Sequence, residues 1–173
     1  MNELAPHLTT LLPKLWRFAL RLTRHHEDAE DLVQRTCVRG LERQQQWREG
    51  VSPLSWLYSI LHSIWLNEIA SRRLRVASSL SDDNDDDIDV PDASALNPET
   101  SLLCKQIVAA VDELPDAQRV VMLLVAVEGM SYREVSDVLQ VPIGTVMSRL
   151  SRARLTIGER FSMQAPVEKK SVA

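Results

Sequence analysis

Residues 76–101 cannot help to build a hydrophobic core. They carry eight Asp or Glu and no Lys or Arg, with Asp82, Asp83, Asp85, Asp86, Asp87, Asp89 and Asp92 following a run of serines. A segment this acidic repels itself and has little apolar surface to bury, so it reads as a flexible, solvated linker. A calcium loop fits this segment less well than a solvated linker, because the glycine and terminal glutamate of such a loop are missing. The chain is thereby divided into a helical domain over 1–75, an acidic linker over 76–98, a second helical domain over 99–162 and a disordered tail over 163–173. The net charge of −4 hides this division. The linker holds the acidity and each flank is mildly basic, so whole-chain charge says little about partners.

Both flanks carry helical periodicity. Leu8, Leu11, Leu12, Leu15, Trp16, Ala19, Leu20 and Leu22 recur at three and four, predicting a helix over 4–24. Glu27, Asp28, Glu30 and Asp31 then place negative charge in the first turn of a helix over 27–45, where it suits the helix N-terminus. Ser52 and Pro53 form a cap and first position for a third helix over 53–75. Beyond the linker, helices are expected over 99–113, 116–128, 132–139 and 143–161, with Gly129 as a C-cap and Ser131 as an N-cap. The fold class is all-α, with three helices in the first domain and four in the second.

Met130–Arg154 carries the most chemistry. A short amphipathic helix, a turn at Leu139–Pro142 and a second helix make a helix-turn-helix. Val135, Val138 and Leu139 can pack on Val146 and Leu150, and the second helix keeps Val146, Leu150, Ala153 and Ile157 on one buried stripe. Its other face presents Gly144, Thr145, Met147, Ser148, Ser151 and Arg152, flanked by Arg149 and Arg154. This polar and basic face suits the DNA major groove. An ordinary surface helix with a few arginines would look similar on charge alone. The ordered turn and the SRLSRAR run are what favour DNA.

Other classes fit poorly. No Gly-rich phosphate loop, GxSxG or HExxH motif is present, and His7, His25, His26 and His62 have no metal spacing, so no catalytic residue, cofactor, metal or small-molecule substrate is expected. The two cysteines, Cys37 and Cys104, are far apart and read as free thiols in a reduced cytoplasmic protein. The longest apolar run, Val120–Val127, is too short to span a bilayer, and no leader is visible.

The segments ELPDAQRVVMLLVAVEGMSYREVSDVLQVPIGTVMSRLSRAR and DAEDLVQRTCVRGLE with PLSWLYSILHSIWLNEIASRR together resemble the extracytoplasmic-function sigma factors of the sigma-70 superfamily. The resemblance covers residues 8–75 and 97–160, about three quarters of the chain. It implies a transcription initiation factor that binds core RNA polymerase and promoter DNA, commonly held by an anti-sigma factor. By resemblance, Asp28, Glu30, Asp31, Gln34 and Arg35 dock on the polymerase clamp helices. The minus-ten element would meet Trp47, Arg48, Ser52, Ser55, Ser59, His62, Ser63, Asn67, Arg72 and Arg73, with Arg75 at the basic helix end. The second helix of the helix-turn-helix would read the minus-thirty-five element. The acidic linker would run along the polymerase's RNA exit path.

Trp16 and Trp56 sit on apolar stripes and read as core, whereas Trp47 and Trp65 fit either core or site. Two positions depart from the family pattern. Ser63 and Asn67 stand where many members have Asn and Asp. Met147 stands where many have Arg, and it cannot make a bidentate guanine contact. A stand-alone helix-turn-helix regulator would explain 130–160 but not the first 75 residues. A pure polymerase adaptor would lack promoter choice.

Overall fold

A computed structural model describes residues 3–76 and 98–164. Among these the chain is all-helical: α1 (Ala5–Thr23), α2 (His26–Glu42), a 3₁₀ turn (Gln44–Gln46), α3 (Pro53–Val76), α4 (Pro98–Asp112), α5 (Asp116–Met122), α6 (Tyr132–Leu139) and α7 (Ile143–Gln164). Residues 77–97, which hold most of the expected linker and the segment weighed as a calcium loop, and residues 165–173 of the expected tail lie outside the described ones. Val76 and Pro98 of the expected linker are helical, and α7 continues to Gln164, two residues into the expected disordered tail.

Local chemistry sets most of the boundaries. Arg24 takes a left-handed φ of 63° and its N–H closes on the Leu20 carbonyl, which ends α1 and turns the chain into α2. Glu27 and Asp28 then occupy the first turn of α2, complementing its dipole. Ser52 caps α3 by accepting from the Ser55 N–H at 3.0 Å. Ser131 and Glu134 cap α6 reciprocally in a capping box. Gly40 is the close approach of α2 to α3. A Cβ there would stand 2.9 Å from Leu57 and 3.0 Å from Leu4.

Two helix ends differ from the periodicity. α2 stops at Glu42 rather than near residue 45, because nothing apolar follows Leu41 to hold another turn against α1 or α3. The expected helix over 116–128 changes its hydrogen bonding partway. Leu123–Val127 is a π-helical turn, with the Glu128 N–H bonded to the Leu123 carbonyl at 3.0 Å. Its unbroken apolar run carries no period that could separate the two bonding patterns.

α1, α2 and α3 form one bundle around Leu15, Phe18, Ala19, Leu32, Leu57, Tyr58 and Leu61, all buried. α4 to α7 form a second around Val120, Val121, Leu124, Val135, Val146, Leu150 and Ala153. The two bundles pack directly on each other. The buried side chains of both halves belong to a single continuous hydrophobic cluster. α6 packs on α3, and α5 packs on α1. Periodicity identifies an apolar stripe but not which neighbour covers it.

Polar contacts cross the same junction. Arg21 of α1 pairs with Asp112 of α4 at 2.9 Å. Arg119 of α5, only 4% exposed, donates through Nη2 to the Leu22 carbonyl of α1 at 3.2 Å. The same guanidinium holds its own half together, donating to the Asp112 and Leu114 carbonyls and to the Asp116 carboxylate.

Candidate nucleic-acid interface

The recognition helix is positioned by the turn before it. Gln140 adopts a left-handed φ of 54°, the Ser136 hydroxyl donates to the Val141 carbonyl at 2.6 Å, and the Thr145 N–H closes on Pro142 at 2.8 Å. These bonds fix the angle at which α7 leaves α6. Val146, Leu150 and Ala153 face the core. Gly144, Met147, Ser148, Ser151, Arg152 and Arg154 are exposed, while Thr145 and Arg149 are half-buried. Ser148 donates to the Thr145 carbonyl, which leaves its oxygen lone pairs outward. Arg152 and Arg154 make no ion pair among the described residues. The predicted face therefore stands together, with two uncommitted guanidiniums available to phosphates or base edges.

The N-terminal residues behave differently, because most already have partners. Trp47 donates its indole N–H to the Val51 carbonyl at 2.8 Å and stacks on Trp56 at 6.1 Å, with His7 against its edge. Ser52 and Ser55 bond each other, and Ser59 donates to the Trp56 carbonyl. Trp65 is buried at 5% exposure, whereas Trp16 and Trp56 pack against the core from its margin. Arg48, Ser63 and Asn67 are exposed.

His62 is half-buried beside Trp65, and burial pulls its pKa down to about 4, with the nearby Arg149 of α7 adding to the effect. A residue expected to meet the minus-ten element thus faces an arginine expected to meet the minus-thirty-five element.

The acidic start of α2 and the basic end of α3 meet in one network. Arg72 pairs with Asp28 at 2.6 Å and Glu68 at 2.7 Å, and Arg35 pairs with Asp31 at 3.0 Å and Glu68 at 3.4 Å. Hydrogen bonding to Asp28 raises the Arg72 pKa, so its charge is held but largely answered within the protein. Arg73 lies 3.8 Å from Asp116 of the other half. Glu30 and Gln34 remain exposed on α2. Sequence reasoning assigned Glu68 no part, and only the one-turn spacing of Glu68 to Arg72 signals it.

Between the halves runs an apolar groove of about 750 Å³, lined by Phe18, Leu20, Ile107, Val111, Leu123 and Ile157 and edged by Arg17, Arg21 and Arg154. Among the described residues no cluster could hold a metal ion, and no helix is long and apolar enough to cross a membrane.

The comparisons agree with this architecture. The family model described as Sigma-70 region 2 matches residues 8–75, and that described as Sigma-70, region 4 matches residues 104–157. Two regions of one family, in this order on one chain, define a sigma-70-type initiation factor. The curated relative EcfG of Rhodopseudomonas palustris, an ECF RNA polymerase sigma factor, is 29% identical, covering 88% of this chain and 82% of its own length. SigE of Mycolicibacterium smegmatis is 34% identical over 82% of this chain, which spans about half of that relative (54%). The solved structure of the sigma factor RpoE of Bartonella quintana, in complex with the anti-sigma factor NepR, matches with a TM-score of 0.79 and 27% identity, covering 91% of this chain and 96% of that one. The chain belongs to the extracytoplasmic-function sigma factors.

Proposed function

We propose that this sigma factor binds core RNA polymerase through the outer face of α2, meets the minus-ten element through α3 and the loop before it, and meets the minus-thirty-five element through α7. The observation that carries the assignment is the exposed, unpaired face of α7 in a chain that also contains region 2. A stand-alone regulator has no use for that region. Asp28, Glu30, Asp31, Gln34 and Arg35 present a charged surface that would orient docking on polymerase. Ser63, Asn67 and Arg48 are the α3-side groups open to bases and phosphates, while Trp47, Ser52 and Ser55 shape the loop that presents them.

Action would be in the cytoplasm, where the polymerase is. No catalytic step is assigned to any residue. RpoE in its complex with NepR matches over both halves, which supports control of this chain by an anti-sigma factor, with the groove edged by Arg17, Arg21 and Arg154 suited to an amphipathic segment bearing acids. Run-off transcription with purified core enzyme tests the reading. Product should require this chain and fall by ten-fold or more with Arg152→Ala plus Arg154→Ala. Product without the chain, or no product on any promoter recovered by start-site mapping after its overexpression, would reject it.

A further inference from the structure

We propose that the cavity where the end of α1 meets α3 and α5 is a binding site for a small phosphate-bearing anion. The cavity measures about 270 Å³, well above the ~30 Å³ share of one water, and Leu22, Trp65, Ile69 and Leu114 form its apolar wall. Arg24, Arg72 and Arg119 line it with three guanidiniums against the two carboxylates of Glu68 and Asp116, which leaves one positive charge in excess.

Two of these guanidiniums are incompletely answered. Arg119 is only 4% exposed and spends its Nη groups on three carbonyls and Asp116. Its buried Nε–H meets no acceptor among the described residues. Arg24 joins no ion pair there, and its Nε is likewise buried without a partner. Unmet donors in a protein interior are rare and costly. The two charges also oppose each other. Burial first, and then Arg24, pull the Arg119 pKa below its ordinary value, while Asp116 and Asp112 act against the shift. An anion in the cavity would accept from both Nε–H groups and offset that repulsion.

A phosphoryl group suits these donors better than a carboxylate. Arg24 closes α1 and Arg119 belongs to α5, so the donors stand on different walls. Tetrahedral oxygens can accept from several directions, whereas a carboxylate meets one guanidinium fork in one plane. The apolar wall leaves room for a small group carrying the phosphate. Arg72 is not the anchor, because Asp28 and Glu68 already hold it.

Calorimetric titration of the full chain with inorganic phosphate and with phenyl phosphate, at constant ionic strength, tests the site. Both should saturate, and at about ten times the dissociation constant the melting temperature should rise by about 3–6 °C. Arg24→Asn tolerates the left-handed φ of 63° and removes a donor, so binding should weaken roughly five-fold or more at unchanged helicity. Glu68→Gln removes a facing carboxylate and releases Arg72, so binding should tighten about two-fold or more. A general loss of fold would weaken both variants, so their opposite signs isolate the site. Tighter binding of phenyl phosphate assigns an organic phosphate, and equal affinities assign the inorganic ion; either result supports the proposal. A melting temperature that rises without saturation, alike in all three chains, reflects exclusion of phosphate from the surface and overturns it. Binding of single-stranded DNA that needs Arg24, with neither phosphate bound, also overturns it and makes the cavity part of the promoter surface.

Discussion

The α2–α3 surface and the outer face of α7 spend their polar side chains in opposite ways. In the N-terminal half Arg72, Arg35, Asp28, Asp31 and Glu68 answer one another, and the serines before and within α3 bond to neighbouring backbone or to each other. In the C-terminal half α7 keeps Arg152 and Arg154 without such partners, on a helix whose opposite face is fully buried. A guanidinium already facing two carboxylates has little to gain from a phosphate. One with no partner exchanges only water and counterions for the backbone. The difference separates residues that hold a surface in shape from residues that can bind through it.

The most forceful way to break the comparison is to damage one half and watch the other. Leu150→Ala empties a 2%-exposed site in the helix-turn-helix core and should cost ~2–5 kcal/mol. Trp16, Trp47, Trp56 and Trp65 all lie in the N-terminal half, so fluorescence reports that half while circular dichroism reports both. Docking through a shared core predicts that the fluorescence melt also moves to lower temperature. A fluorescence melt identical to wild type would show that the halves are energetically independent.

Arg152→Ala against Arg72→Ala sharpens the contrast directly. Arg152→Ala should weaken binding to the upstream element by ~1–3 kcal/mol if it touches a base, or reduce the salt slope by about one if it touches a phosphate, with thermal stability near wild type. Arg72→Ala should instead leave Asp28 and Glu68 facing each other and lower stability by a few tenths to ~1 kcal/mol, these pairs being partly exposed. Fluorescence anisotropy on promoter duplexes over a salt series, beside thermal melts, reads both. If the two variants exchange phenotypes, the division of labour is wrong.

The legible part of this fold is what local chemistry decides. The amphipathic stripes, Ser52, Ser131 and Gly129 placed the helices to within a few residues, and the apolar spacing of Val146, Leu150 and Ala153 oriented α7 correctly. Partner choice across the junction was not legible. Arg119 sits in a segment that looks like any helix start, and its bond to the Leu22 carbonyl joins residues 97 apart in sequence. His62 read as a minus-ten contact, because nothing in α3 reveals that α6 packs on that helix and that Arg149 of α7 comes near. Arg72 read as a minus-ten contact because its carboxylate partners lie one turn away and on another helix.

His62 offers the next test of that junction. Its folded-state pKa lies below the free value, so the neutral form is the one the docked structure favours. Its contribution is present above the unfolded value of ~6.5 and is lost as pH falls from there towards about 4. Discounted for partial exposure, the loss should reach about 1 kcal/mol near pH 5.5. Carboxylates titrate lower down, so the informative quantity is wild type minus His62→Gln, which should shrink between pH 7 and 5.5. A constant difference would mean that the imidazole stays solvated and that α7 does not cover it.

The smallest effects concern the caps, and they ask whether the halves also differ in how firmly their helices begin. Ser131→Ala removes the bond to the Glu134 N–H, but the Glu134 carboxylate can still accept from the Ser131 N–H, seen at 2.8 Å. Ser52→Ala removes the acceptor for the Ser55 N–H and frees the Ser55 hydroxyl, with no reciprocal carboxylate to take over. Both changes should cost ~0.5–2 kcal/mol, with Ser52→Ala towards the upper end. The acid that backs up Ser131 is itself titratable. Bonding from the Ser131 N–H and hydroxyl holds the Glu134 pKa below the ordinary carboxylate range, so its support is present at neutral pH and lost as pH falls through that depressed value. Thermal melts of both variants at pH 7 and pH 4 decide it. The gap between them should narrow at the lower pH, and a gap that widens there would assign the α6 cap to the hydroxyl alone.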